Sequence, residues 1–206
     1  MEELLPGVWH WSAPHPRIGF RVHSHWLSDA GAVFDPIEPP EGMPELEPAP
    51  TRIVLGCRHH LRDAEGFAAG LGGVPILAPE AGMHEFAGDG AIGSYAVGEE
   101  VAPGVTAQPM GTIAPDDNVL HIRTRGEGLL LFADALLVWN GELSFQPDFL
   151  MDDPERVKQD TVKRIEELLT LDFDHLLLAH GEPIIGRGRT ALSDFAENPR
   201  SADFGV

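Results

Sequence analysis

The sequence predicts an α/β protein in which two β-sheets face each other with helices on the outside, a four-layer αββα sandwich. Three observations carry this expectation. Period-2 patterns of antiparallel strands occupy the N-terminal part, a strand–loop–helix–strand unit follows at residues 53–77, and an amphipathic helix leads into a buried strand and a last helix near the C-terminus.

Taken in order, Gly7 to Ser12 (GVWHWS) and Gly19 to Leu27 (GFRVHSHWL) alternate large and polar residues, as half-buried antiparallel strands do. Ala32 to Phe34 reads as a short strand ending at Asp35-Pro36. Residues Glu38 to Pro50 are too rich in proline and glutamate for helix or strand and are expected to form a surface loop. Ile53, Val54 and Leu55 form a buried strand stopped by Gly56, Asp63 to Leu71 a helix closed by Gly72-Gly73, and Val74 to Leu77 a further strand, which together make a β-α-β unit. From Gly88 to Gly104 the pattern is weakly stranded, and Val119 to Thr124 with Leu129 to Phe132 reads as a hairpin around Gly126 to Gly128. Asp152 or Asp153 can cap a helix with Pro154 in its first turn, because Val157, Thr161, Ile165 and Leu168 recur on one face. That helix leads into the buried strand Asp174 to Ala179, and Thr190 to Glu197 reads as the final helix.

A chain of 206 residues is read as one domain, 1–206. Fourteen basic against thirty-three acidic side chains give a net charge of −19, which repels phosphate backbones and anionic lipid and argues against nucleic acid or a membrane surface as partner. The single cysteine excludes an internal disulfide, the N-terminus MEELLPG lacks a basic and an apolar leader region, and no apolar run is long enough to span a bilayer. These features predict a cytoplasmic protein whose partner is a small molecule.

Chemistry-bearing residues gather where buried strands end. Cys57 to Asp63 place a thiol, two imidazoles, two guanidiniums and a carboxylate within seven positions directly after the strand at Ile53. In open α/β sheets such a strand end holds side chains rigidly at a crevice. Two other buried strands end in Ala133-Asp134 and in Ala179-His180-Gly181. Each alone reads equally well as a capping or rim residue. His23 and His25, two apart on one strand, have a metal-capable spacing but read as the polar face of that strand, and Asp116-Asp117 reads as a turn.

Together, in this order and spacing, Cys57 with His59, Asp134 and His180 resemble the metallo-β-lactamase superfamily, and the resemblance runs over nearly the whole chain. It implies an αββα sandwich of the metallo-β-lactamase type, with metal ligands on loops at one edge of the two sheets. The superfamily's signature loop T-H-x-H-x-D-H, laid without gaps, falls on Gly56 to Arg62. Cys57 then stands at the first histidine and His59 is retained, but Leu61 and Arg62 replace the aspartate and the last histidine. The motif G-H-T-P-G falls on Thr112 to Asp116, with Ile113 at its histidine. The bridging aspartate is matched by Asp134 and the last histidine by His180.

The resemblance therefore implies hydrolysis with a reduced metal site: one zinc or iron ion held by His59, Asp134 and His180, with Cys57 as a further thiolate, and a metal-activated water as nucleophile. Arg62 stands beside this site, where its guanidinium can pair with Asp134 and replace metal by a fixed positive charge. Two other readings stay open: an inactive relative in which Arg62, His59 and His180 accept an anion, and a metal-free enzyme with Cys57 as nucleophile, His59 or His180 as base and Asp134 as orienter.

Overall fold

The computed structural model of the protein describes residues 1–86, 91–123 and 126–205. The first sheet has seven strands in chain order: β1 (Glu2–Leu5), β2 (Val8–Pro14), β3 (Arg21–Leu27), β4 (Ala32–Phe34), β5 (Arg52–Val54), β6 (Ile76–Pro79) and β7 (Ile92–Tyr95). Neighbours pair antiparallel from β1 to β4 and parallel from β4 to β7. The later strands are β8 (Glu100–Ala102), β9 (Val105–Pro109), β10 (Asn118–Ile122), β11 (Leu129–Phe132), β12 (Leu136–Trp139), β13 (Glu142–Phe145) and β14 (His175–Leu178). Five of them form the second sheet in the order β14-β11-β10-β9-β8, and β12 and β13 form a separate hairpin. The helices are α1 (Ala64–Gly70), α2 (Pro154–Leu168) and α3 (Gly188–Glu197).

Side-chain alternation along the strands sorts the apolar residues into three layers of core. In β11, Leu129 and Leu131 point at the first sheet and pack with Phe34, Val54, Val105, Leu120 and Leu177. Leu130 and Phe132 point the other way and pack with Ile165 and Leu168 of α2 and Leu192 and Phe195 of α3. On the far side of the first sheet, Trp26, Val33 and Ile53 pack against Phe67 of α1. The layers run α1, first sheet, second sheet, α2 with α3, as the sequence pattern predicts. Asp153 caps α2 by accepting from the Arg156 amide at 3.2 Å, and Pro154 opens the helix.

Several details differ from the sequence reading. β1, β9 and the β12–β13 hairpin have no counterpart in it, and β6 begins two residues after Val74. The Pro/Glu-rich stretch 38–50 holds no helix or strand. The weakly stranded stretch contains β7 and β8, while its residues 88–90 lie outside the described ones. The β10–β11 pair is antiparallel as expected, with Thr124 and Arg125 of its connection also outside. His23 and His25 are buried, so the polar face expected for β3 instead points between the two sheets. Among the described residues no helix is long and apolar enough to cross a membrane.

The parallel pairing fixes where chemistry can gather. β11 and β14 run parallel with Phe132 opposite Leu178, so Asp134 and His180 leave their strands at one level. β4 and β5 also run parallel, and Asp35 and Cys57 follow them at the same edge. Gly56 lets these ends approach: a Cβ there would stand 2.8 Å from the Ala133 Cβ and 3.1 Å from Asp35 Oδ2. Because Leu131 is fully buried between the sheets, Leu131→Ala is expected to lower the unfolding free energy by about 2–5 kcal/mol, measured by chemical denaturation.

Candidate metal centre

Asp134 is the hub of the strand-end loops. Its Oδ1 lies 3.1 Å from His60 Nε2 and 2.9 Å from His180 Nε2, and the Cys57 thiol donates to its Oδ2 at 3.2 Å. Its backbone N–H donates to Asp117 Oδ1 at 2.9 Å. The side chains of Asp134 and His180 are 22% and 19% exposed, so solvent reaches the hub between them, whereas His60 is buried.

His60 is held from both ends. Its Nδ1 lies 2.9 Å from Asp35 Oδ2, and the other oxygen of Asp35 accepts from the Gly56 amide at 2.7 Å. A carboxylate behind a histidine fixes the ring and its tautomer, the outer-shell arrangement found behind metal-binding histidines. With Nδ1–H given to Asp35, a neutral His60 presents a lone pair at Nε2 to the carboxylate oxygen of Asp134. Two acceptors face each other there, and only a proton or a cation between them makes the contact favourable. With a proton in that place, burial alone would lower the pKa of His60, but the carboxylates of Asp35 and Asp134 outweigh it and raise it to about 9.

The surrounding charges answer to this core. Burial would raise Asp134, yet His60 and His180 hold its carboxyl well below the usual range. Burial and the neighbouring Asp134 push Asp117 up to about 8, so it is neutral at pH 7, and its buried Oδ2 has no hydrogen-bond partner among the described residues. Burial, and after it the charge of Asp134, pushes the Cys57 thiol up, so Cys57 acts here as a thiol donor. Burial lowers His180 despite its bond to Asp134.

Arg62 takes a structural place. Its Nη1 donates to the carbonyls of His23 at 2.9 Å and Asp35 at 2.8 Å, and its Nη2 reaches the carbonyl of Ala179 at 3.5 Å. The guanidinium thus ties β3 to the ends of β4 and β14. Arg62 and Asp35 both have positive φ, 39° and 47°, a conformation uncommon for side-chain-bearing residues that marks a locally constrained loop. Arg58 N–H donates to Asp116 Oδ2 at 2.7 Å and its guanidinium pairs with the same carboxylate, which anchors the 3₁₀ turn Arg58–His60.

The residues singled out in the sequence are not arranged around one point. Ligating atoms of Cys57, His59 and Asp134 lie within 4.8 Å of one another, and those of His60, Asp134 and His180 form a second such group, with Asp134 common to both. Of the adjacent histidines, His59 is exposed and has no hydrogen-bond partner among the described residues, whereas His60, at a non-ligand position in the ungapped register, fills the buried place. Ile113 packs against the core beside α2. The sequence reading missed Asp35, His60, Asp116 and Asp117. Two signals for them were present: an aspartate directly after a buried strand at Asp35-Pro36, and the paired aspartates just before the β10 pattern.

A two-sheet sandwich with helices on both faces and a histidine–aspartate cluster on its strand-end loops defines the metallo-β-lactamase type of architecture. No protein-family profile matches the sequence, and no characterised protein matches it by sequence. Solved structures do match. A metallo-β-lactamase family protein from Thermus thermophilus superposes with a TM-score of 0.66 at 18% identity, over 95% of this chain and 80% of that one. A metallo-β-lactamase from Hirschia baltica gives 0.63 at 14%, over 98% of both chains. An archaeal metallo-β-lactamase superfamily protein from Sulfolobus tokodaii gives 0.60 at 12%, over 96% and 89%. The protein has the fold of the metallo-β-lactamase superfamily.

The Asp35–His60 pair gives a direct check. In metal-stripped protein, Asp35→Asn removes the larger carboxylate contribution and leaves that of Asp134, so the pKa of His60 is expected to fall from about 9, followed by imidazole NMR. A pKa that stays put would mean Asp35 does not hold the ring.

Proposed function

We propose that the protein is a metal-dependent hydrolase with a mononuclear centre in which His60, Asp134 and His180 hold one zinc or iron ion. The observation that supports this reading is the convergence at Asp134: two imidazole nitrogens meet one carboxylate oxygen, and one of those imidazoles is backed by a second carboxylate. The donor set fits. Imidazole and carboxylate suit zinc and iron, and three protein ligands leave a position for water, as catalytic sites require. Such an ion, when bound, polarises a substrate carbonyl or phosphoryl oxygen and lowers the pKa of a water molecule beside it.

The chain's own residues prepare the centre. Asp35 fixes the His60 tautomer so that Nε2 faces Asp134. The Cys57 thiol occupies Oδ2 of Asp134 and leaves Oδ1 to the histidines. Arg62 holds the backbone on either side of the site, and its charge offsets part of the buried carboxylate charge without taking a ligand place. The Cys57–His59–Asp134 group is the weaker candidate, because its imidazole is exposed and oriented by no partner among the described residues, whereas the His60 ring is held by Asp35. The substrate class is a small molecule with a hydrolysable acyl or phosphoryl bond, met at the partly exposed side chains of Asp134 and His180.

One observation favours a second reading, a metal-free binding module. In it a proton on His60 and the guanidinium of Arg62 already compensate Asp35 and Asp134. Elemental analysis of untagged protein separates the two. The hydrolase reading expects about one zinc or iron per chain at the Asp134 centre, lost in His60→Ala and His180→Ala and retained in His59→Ala. An Asp134 centre that stays empty after incubation with excess of either metal would rule it out and leave the binding module.

A further inference from the structure

His10 and His23 form a second cluster, outside the Asp134 centre. Both face between the sheets near their open end, both are buried, and His10 Nε2 lies 2.8 Å from His23 Nδ1. Behind His10, Glu2 Oε1 stands 3.3 Å from Nδ1. In front, the exposed Glu182 comes from the turn after β14, and ligating atoms of His10, His23 and Glu182 all lie within 4.8 Å of one another.

We propose that His10, His23 and Glu182 form a second metal site, which takes zinc or another borderline divalent transition ion, with Glu2 as the carboxylate that orients His10. Two imidazoles and one carboxylate are the ligand types such ions prefer. A carboxylate on the far nitrogen of His10 turns its lone pair towards the cluster, the role such outer partners play at metal sites.

A simple N–H···N bond between the two histidines, with Glu2 fixing the tautomer of His10, explains their 2.8 Å contact but gives no role to Glu182. The exposed carboxylates of Glu2 and Glu182 bring negative charge to the two rings, which a divalent ion offsets. Zinc–nitrogen bonds of about 2.0–2.1 Å space tetrahedral ligands by roughly 3.3 Å, so on binding the rings part and turn their lone pairs from each other to the ion, and the exposed Glu182 closes the site. Glu182 follows His180 by two residues in one turn, so an ion here pins the turn that carries His180 to β2 and β3.

The test uses the full chain stripped with chelator and titrated with Co²⁺, with visible d–d absorption and elemental analysis as readouts. Asp134→Asn removes the residue shared by both groups of the first centre, so about one cobalt per chain is expected to remain in that variant. Adding Glu182→Gln is expected to weaken the remaining site about tenfold or more, and adding His23→Ala to abolish it. Glu182 is exposed, so its substitution tests the site without burdening the fold, and if Asp134→Asn does not fold, Glu182→Gln in the otherwise unchanged chain must weaken one bound equivalent. Failure of Asp134→Asn to bind cobalt, or binding indifferent to Glu182→Gln, overturns the second site. Cobalt bound equally with and without the Asp134 carboxylate, but dependent on Glu182, overturns the first centre alone.

Discussion

The contact on which the site depends is the meeting of His60, His180 and Cys57 on the carboxylate of Asp134. Every loop at this edge of the sandwich leads to it. The β5 loop brings the thiol and one imidazole, β11 the carboxylate, β14 the other imidazole, and the start of β10 the Asp117 carboxyl that accepts from the Asp134 amide. With its Nδ1–H given to Asp35, a neutral His60 turns a lone pair towards Asp134, and that contact is unfavourable unless a positive species joins them, whereas a neutral His180 can donate its Nε2–H to the same oxygen. The sandwich thus builds a place for positive charge and leaves its identity, proton or metal ion, to the conditions.

Second-layer contacts make that place rigid. Asp35 sits in a positive-φ conformation and spends one oxygen on the Gly56 amide and the other on His60. Arg62, equally constrained, ties β3 to the ends of β4 and β14 through their carbonyls. Local conformations of this kind cost of order 1–3 kcal/mol each and persist only where the surroundings over-determine them. Here the hydrogen bonds do so, and the parallel register of β11 with β14 sets the level at which Asp134 and His180 emerge.

Much of the fold was legible because it rests on periodicity. The alternation in β2 and β3, the apolar runs of β5, β11 and β14, and the capped amphipathic helix α2 are local signals, and the four-layer order follows from their sequence. β9 and the β12–β13 hairpin were missed although Val105 to Gln108 and Glu142 to Phe145 alternate and Leu136 to Trp139 is an apolar run, because patterns of four residues are too short to stand out. The site was legible only in outline. Asp134 and His180 were singled out at strand ends and lie together in the structure, but the ungapped register took His59, and only the three-dimensional turn Arg58–His60 shows which imidazole is buried. The buried role of Asp116 and Asp117 was hidden for a similar reason: a pair of aspartates reads as a turn until the loop facing it is known. Arg62 shows a further limit, since a guanidinium whose partners are backbone carbonyls leaves no trace in side-chain patterns.

The most direct test of the Asp134 centre is anomalous scattering from a crystal of the protein grown with zinc, recorded on both sides of the zinc absorption edge. The account predicts an edge-dependent peak in coordinating contact with His60 Nε2, Asp134 Oδ1 and His180 Nε2. A well-diffracting crystal with no peak there, and the two histidines still bonded to Asp134, would contradict it and identify the positive species at the hub as a proton.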